Sequence, residues 1–154
     1  MVKVLFVCLG NICRSPLAEG ILRQQAASQN QEIECDSAGT STYHIGELPD
    51  DRTQQIAQKN NMILTHRARQ IQKEDFERFD YIIAMDRSVY QNILSYKIRV
   101  SNATEINIML MRSFDDNKGI LDVPDPYYGT TKDFEEMNQI LSRCMNNFLK
   151  FLKD

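Results

Sequence analysis

No stretch of this 154-residue sequence comes near the ~20 consecutive apolar residues that a membrane span requires. An excess of positive charge is also absent. The 18 Lys and Arg stand against 21 Asp and Glu, and the formal net charge of −3 gives no field to draw in nucleic acid or an anionic membrane. Any anion site must therefore be local. The four cysteines, Cys8, Cys13, Cys35 and Cys144, lack the paired spacing of a metal site, and a chain of this size needs no disulfide staples. There is no repeat, low-complexity tract or linker, and Met1 to Phe6 reads as a strand rather than a secretory leader. What remains is one globular domain, residues 1–154, with 42% apolar residues to fill one core. These features imply a cytoplasmic protein with reduced thiols, no metal, and no nucleic-acid or membrane partner.

Hydrophobic patterning sets the fold class. Val2 to Cys8 is almost continuously apolar, as a strand buried on both faces should be. Ser15 and Pro16 fit an N-cap followed by proline at the first helical position, and Leu17, Ala18, Ile21, Leu22 and Ala26 follow at helical spacing, which predicts a helix from about Pro16 to Gln29. Further strands are predicted at Ile33–Ser37, Tyr81–Asp86 and Glu105–Met111. Helices are predicted at Asp50–Asn60, in QKEDFERF, at Arg87–Ser95 and at Lys132–Lys153, with Ala38–Pro49 a loop. Strands alternating with helices mean an α/β fold whose parallel sheet is covered on both sides. Ligands of such folds bind where strands run into helices, so Cys8, Ser37 and Asp86 should share the functional edge.

The first of those junctions carries the chemistry. Cys8-Leu9-Gly10-Asn11-Ile12-Cys13-Arg14 links a buried strand to a helix, and a loop curling over a helix N-terminus directs several amides into one concavity. Gly10 and Asn11 suit the unusual dihedrals of that curl. A cysteine at its floor, facing amide dipoles and Arg14, sits where a thiolate is stabilised. Arg14 offers a planar fork able to hold two phosphate oxygens through a change of geometry. A Cys-x5-Arg spacing also arises by chance; the strand, turn and helix around this one make it specific. Expelling a poor leaving group needs a positioned acid, and Asp125, between two prolines and beside Tyr127 and Tyr128, is a candidate, although Asp-Pro turns are common without function.

The segment VLFVCLGNICRSPLAE resembles the phosphate-binding loop of the low-molecular-weight protein tyrosine phosphatases, and DSAGTS, ARQI, DYIIAMD and VPDPYYG follow in that family's order. The resemblance implies a four-stranded parallel sheet with helices on both faces, in a three-layer single-domain phosphatase. It implies hydrolysis of phosphotyrosine and small aryl phosphates through a phosphocysteine on Cys8, with no cofactor and no metal. Leu9, Gly10, Asn11, Ile12, Cys13 and Arg14 would bind phosphate, Asp125 would act as acid and then base, and water-excluding neighbours would favour its protonated form. Ser15 would steady the thiolate, while Asn11 would be tied to Ser15, Ser37 and His66 around the site. Tyr43, Tyr127 and Tyr128 would wall a slot for the substrate ring. Cys13 would trap oxidised Cys8 as a disulfide, making the cysteine redox-sensitive. Phosphotyrosine proteins would be the substrates and inorganic phosphate the product and inhibitor of a monomeric enzyme.

His44 departs from the family pattern and is expected in solvent. Ile12 stands where relatives selecting phosphoarginine carry threonine, which favours phosphotyrosine. Two competing readings are a thiol-relay arsenate reductase and a non-catalytic phosphate-binding domain. Residues 75–95 contain no cysteine for the relay, and a binder needs no acid at Asp125.

Overall fold

A computed structural model describes residues Met1–Asp154. The chain begins in the middle of its sheet. Strand β1 (Val2–Cys8) is flanked by β2 (Ile33–Gly39) on one side and β3 (Tyr81–Ala84) on the other, with β4 (Asn107–Leu110) outermost beyond β3. All pairings are parallel, with Cys8 opposite Gly39 and Val7 opposite Ala84. Because the chain leaves β1 first toward β2 and later toward β3, the crossovers diverge and open a crevice beyond the carboxyl end of β1. The loop Cys8–Arg14 fills that crevice.

Two apolar layers cover the sheet. Val4 and Phe6 face α1 (Arg14–Ser28), α2 (Asp51–Lys59) and α5 (Thr131–Lys153). Leu5 and Val7 alternate onto the other face, against α3 (Asp75–Arg78) and α4 (Arg87–Val100). All four are fully buried, which explains the absence of polar alternation in β1. Helix α5 contributes Phe134, Met137, Leu141, Met145 and Phe148 to the first layer, each worth about 1.5–3 kcal/mol on full burial. No helix is long and apolar enough to cross a membrane.

Several boundaries move from their expected places. Helix α1 starts at Arg14, with Cys13 at the N-cap position and no side-chain cap. Ser15 is therefore inside the first turn, its hydroxyl used elsewhere, and Pro16 is the third helical residue. Strand β3 stops at Ala84 because Asp86 turns outward and caps α4, accepting from the Val89 amide at 2.7 Å. Helix α4 continues past Ser95 to Val100. Strand β4 is shorter than Glu105–Met111, since Met111 enters a 3-10 turn, Met111–Phe114. Strand β2 runs beyond Ser37 to Gly39, where a Cβ would lie 2.7 Å from the Leu9 carbonyl oxygen, so only glycine lets the strand pass this close to the loop.

Candidate active site

The loop is shaped by one residue in a left-handed conformation. Asn11 has φ 58°, a geometry asparagine tolerates better than most side chains, and its side chain is fully committed. Its Nδ2 donates to Ser15 Oγ at 2.7 Å and Ser37 Oγ at 3.1 Å. Its Oδ1 accepts from His66 Nε2 at 2.8 Å and the Arg69 amide at 3.0 Å. Asn11, Ser15 and Ser37 are buried, so these bonds form in a low-dielectric setting where each is costly to lose.

Cys8 lies at the floor of the loop, 2% exposed, with its Sγ 3.0 Å from Ser15 Oγ and accepting from the Asn11 amide at 3.3 Å. Asn11 donates to Ser15 Oγ, which leaves the serine proton to the sulfur at 3.0 Å or to the Ala38 carbonyl at 3.4 Å, the sulfur being the nearer acceptor. Arg14, also 2% exposed, is held at one end only. Its Nη1 donates to Asp86 Oδ2 at 2.8 Å and to the Val123 carbonyl at 2.9 Å, while Nε is buried without a partner. Burial works against this charge, but Cys8, Asp86 and Asp125 outweigh it and raise the guanidinium pKa above its ordinary value. The remaining donors of Arg14 form an unspent fork suited to an anion.

Above the loop is a cavity of about 150 Å³ lined by Cys8, Ile12, Arg14, Asp125, Tyr127 and Tyr128 among others. A cavity of roughly 150 Å³ holds one benzene-sized ring. Asp125 Oδ2 is 3.7 Å from Arg14 Nη2 across it, and Asp125 Oδ1 accepts from the Tyr127 amide at 3.1 Å. The Asp125 side chain is 45% exposed, so the flanking prolines do not shield it from water as the sequence suggests. Tyr127 and Tyr128 meet edge to face at 4.9 Å, and Tyr43 and Tyr128 are largely exposed at the rim.

The structure corrects the expectation for His44. The ring lies over the loop, where a Cβ on Gly10 would come within 3.0 Å of its Cδ2, and 6.0 Å from the Tyr127 ring. Gly46, at φ 87°, folds residues 44–47 back: the Glu47 amide donates to the His44 carbonyl at 2.9 Å, and Glu47 Oε2 sits 2.9 Å from His44 Nδ1. His44 thus forms part of the cavity wall.

Sequence reasoning also missed a layer of charge behind the loop. Glu19, on the buried face of α1, accepts from Ser37 Oγ at 2.7 Å and pairs with Arg23. Its place between Ala18 and Ile21 in the apolar stripe was the available signal. His66 Nδ1 lies 3.2 Å from Asp36 and 3.5 Å from Glu19. Burial alone would raise Asp36, yet His66, the Ser37 amide and Arg69 bring it down to about 2. Glu19, Asp36 and His66 are close enough to share a cation, but each carboxylate already has an arginine, Arg23 or Arg69, so the donors are spent within a hydrogen-bonded network. Cys13 is buried beside Thr53, and burial pushes its thiol up to about 12. Cys35 and Cys144, in the core, are pushed up to about 12 by burial too.

Known proteins share this arrangement at the level of sequence and of fold. A sequence model described as low molecular weight phosphotyrosine protein phosphatase matches residues 3–154. A Rattus norvegicus protein named low molecular weight phosphotyrosine protein phosphatase is 44% identical over 150 residues, covering 96% of this chain and 94% of its own length. Among solved structures, a protein tyrosine phosphatase from Entamoeba histolytica superposes with a TM-score of 0.91 at 35% identity, covering 99% of this chain and 97% of its own. The Drosophila arginine phosphatase superposes with a TM-score of 0.95 at 32% identity, covering 99% of both chains. A match running from the third residue to the last, joined to relatives alike over nearly their full length, makes this chain a member of the low molecular weight phosphotyrosine protein phosphatase family, a family of hydrolases.

Proposed function

We propose that this hydrolase cleaves phosphotyrosine and small aryl phosphates in two displacements on Cys8. The observation that carries the reading is the meeting, in one ring-sized cavity, of the Cys8 sulfur, the unspent fork of Arg14 and the Asp125 carboxyl. In the first step the Cys8 thiolate attacks phosphorus, the bond to the aryl oxygen breaks, and Asp125 gives that oxygen its proton. The amides of Leu9 to Arg14 and the guanidinium of Arg14 hold the three other phosphate oxygens as charge shifts among them. Asp86 and the Val123 carbonyl anchor Nη1, so Nε and Nη2 are the atoms left for phosphate. In the second step Asp125, now a carboxylate, takes a proton from water as it attacks the phosphocysteine. Phosphate leaves, and Cys8 departs as a thiolate steadied by the Ser15 hydroxyl and the Asn11 amide. Inorganic phosphate is then product and inhibitor.

The wall above the cradle supports an aromatic substrate: Leu9, Ile12, Tyr43, Tyr127 and Tyr128 offer ring faces and apolar edges. Likeness to the Drosophila arginine phosphatase makes phosphoarginine the alternative substrate class, and Ile12 in the cavity wall stands against it. A guanidinium leaving group needs polar partners along the wall, and Asp125 is the one carboxyl lining the cavity. Four free cysteines fit phosphoproteins of the cytoplasm as targets. The experiment is steady-state hydrolysis of p-nitrophenyl phosphate, a phosphotyrosine peptide and a phosphoarginine peptide by the native chain and by Cys8→Ser. Turnover of the first two, abolished by the substitution, is expected. Turnover that survives Cys8→Ser would sink the mechanism, and preference for phosphoarginine would replace the substrate.

A further inference from the structure

We propose that Arg52, which lies outside the cavity, is the positioning residue for the acid Asp125. Asp125 sits on a span of three residues, Pro124-Asp125-Pro126, whose prolines have fixed φ and no amide to bond. Its orientation is therefore set by the span's two ends. The upstream end is pinned by the Val123 amide donating to the Met85 carbonyl at 2.8 Å and by Arg14 on the Val123 carbonyl. The downstream end is Tyr127, whose amide donates to Asp125 Oδ1 and whose carbonyl accepts from Arg52 Nη2 at 2.9 Å. A chain of contacts thus runs from the guanidinium through one residue to the carboxyl that must give up the proton.

Arg52 is itself fixed on three sides. Its Nε and Nη2 fork onto the Asp50 carboxylate at 3.0 and 2.9 Å, and Asp50 is the N-cap of α2. Its planar group lies 4.4 Å from the Phe134 ring centroid, at the start of α5, and 5.7 Å from that of Tyr127. Nη1 reaches the Gly129 carbonyl at 3.5 Å. One side chain, in the first turn of α2, therefore joins the loop after β2 to both sides of the turn that carries Tyr127 and Tyr128. A lysine has the charge but neither the fork nor the flat face.

This assignment rests on the proposed acid role of Asp125, and leaving-group dependence tests it. Misplacing an acid by a fraction of an ångström slows substrates that need a proton and spares those that do not. Arg52→Ala should lower kcat/KM for a phosphotyrosine peptide by about tenfold or more, and that for dinitrophenyl phosphate by less than about threefold. Added to Asp125→Ala, it should cause no further loss on the peptide. Arg52→Lys should show the same selective defect, and it carries the test should the alanine variant not fold. Equal losses on both substrates, additivity with Asp125→Ala, or full rescue by lysine would each overturn the proposal. A native chain that hydrolyses neither substrate would instead overturn the phosphatase reading.

Discussion

Replacing Asn11 by alanine removes four side-chain hydrogen bonds at once and leaves a non-glycine residue at φ 58°. At about 1 kcal/mol net per bond, with about 1 kcal/mol more for the left-handed backbone, the loss is about 4–6 kcal/mol. That is a large part of the roughly 5–15 kcal/mol that holds a domain together. Asn11→Gly removes the same bonds but relieves the backbone, and should recover about 0.5–1 kcal/mol of that loss. Urea unfolding, with unchanged slope, measures both. Activity should fall further than folding explains: with Asn11 gone, Ser15 loses its donor and is free to turn from Cys8. We expect kcat/KM for p-nitrophenyl phosphate to drop at least about tenfold in both variants, even where they are fully folded. The reasoning fails if glycine restores native stability and activity, because the backbone conformation alone would then be what Asn11 supplies.

Asp86→Ala releases Nη1 of Arg14, and inhibition by phosphate should weaken by about tenfold, read as Ki; unchanged inhibition would mean that Val123 alone holds the fork. Asp36 is held at about 2 against an ordinary 3.8, so it adds stability that is present above pH 4 and lost as pH falls through 2. Asp36→Asn should flatten the stability profile in that window, by about 2 kcal/mol end to end, and an unaltered slope would contradict the assignment. Because burial pushes the Cys13 thiol up to about 12, its attack on oxidised Cys8 should be slow near neutrality and quicken about tenfold per pH unit. Thiol counting after a peroxide pulse checks this, and a pH-independent rate would refute it.

Much of the fold was legible because burial on both faces leaves a plain signature: Val2 to Cys8 could hardly be anything but a central strand. The curl of the loop was legible too, since Asn11 suits unusual dihedrals and does take φ 58°. Ser15 was read as a helix cap as well as a neighbour of the sulfur; the cap is absent, because serine before proline looks the same whether its hydroxyl serves an amide or a sulfur. His44 was misplaced for a different reason: its position depends on the left-handed Gly46 and on Glu47, a tertiary turn with no periodicity to announce it. Arg52 was invisible, since its partners Tyr127 and Gly129 lie more than seventy residues on. Glu19 and Asp36 drew no reading from the sequence, because only folding brings each of them to His66.

The central claim is that Cys8 carries the phosphoryl group between the two steps. Rapid acid quenching of the native enzyme during turnover of a phosphotyrosine peptide, followed by mass spectrometry of its fragments, tests it directly. The account predicts one added phosphoryl group on the fragment containing Cys8, absent from Cys8→Ser. Steady turnover with no such adduct, or an adduct on another residue, would contradict it.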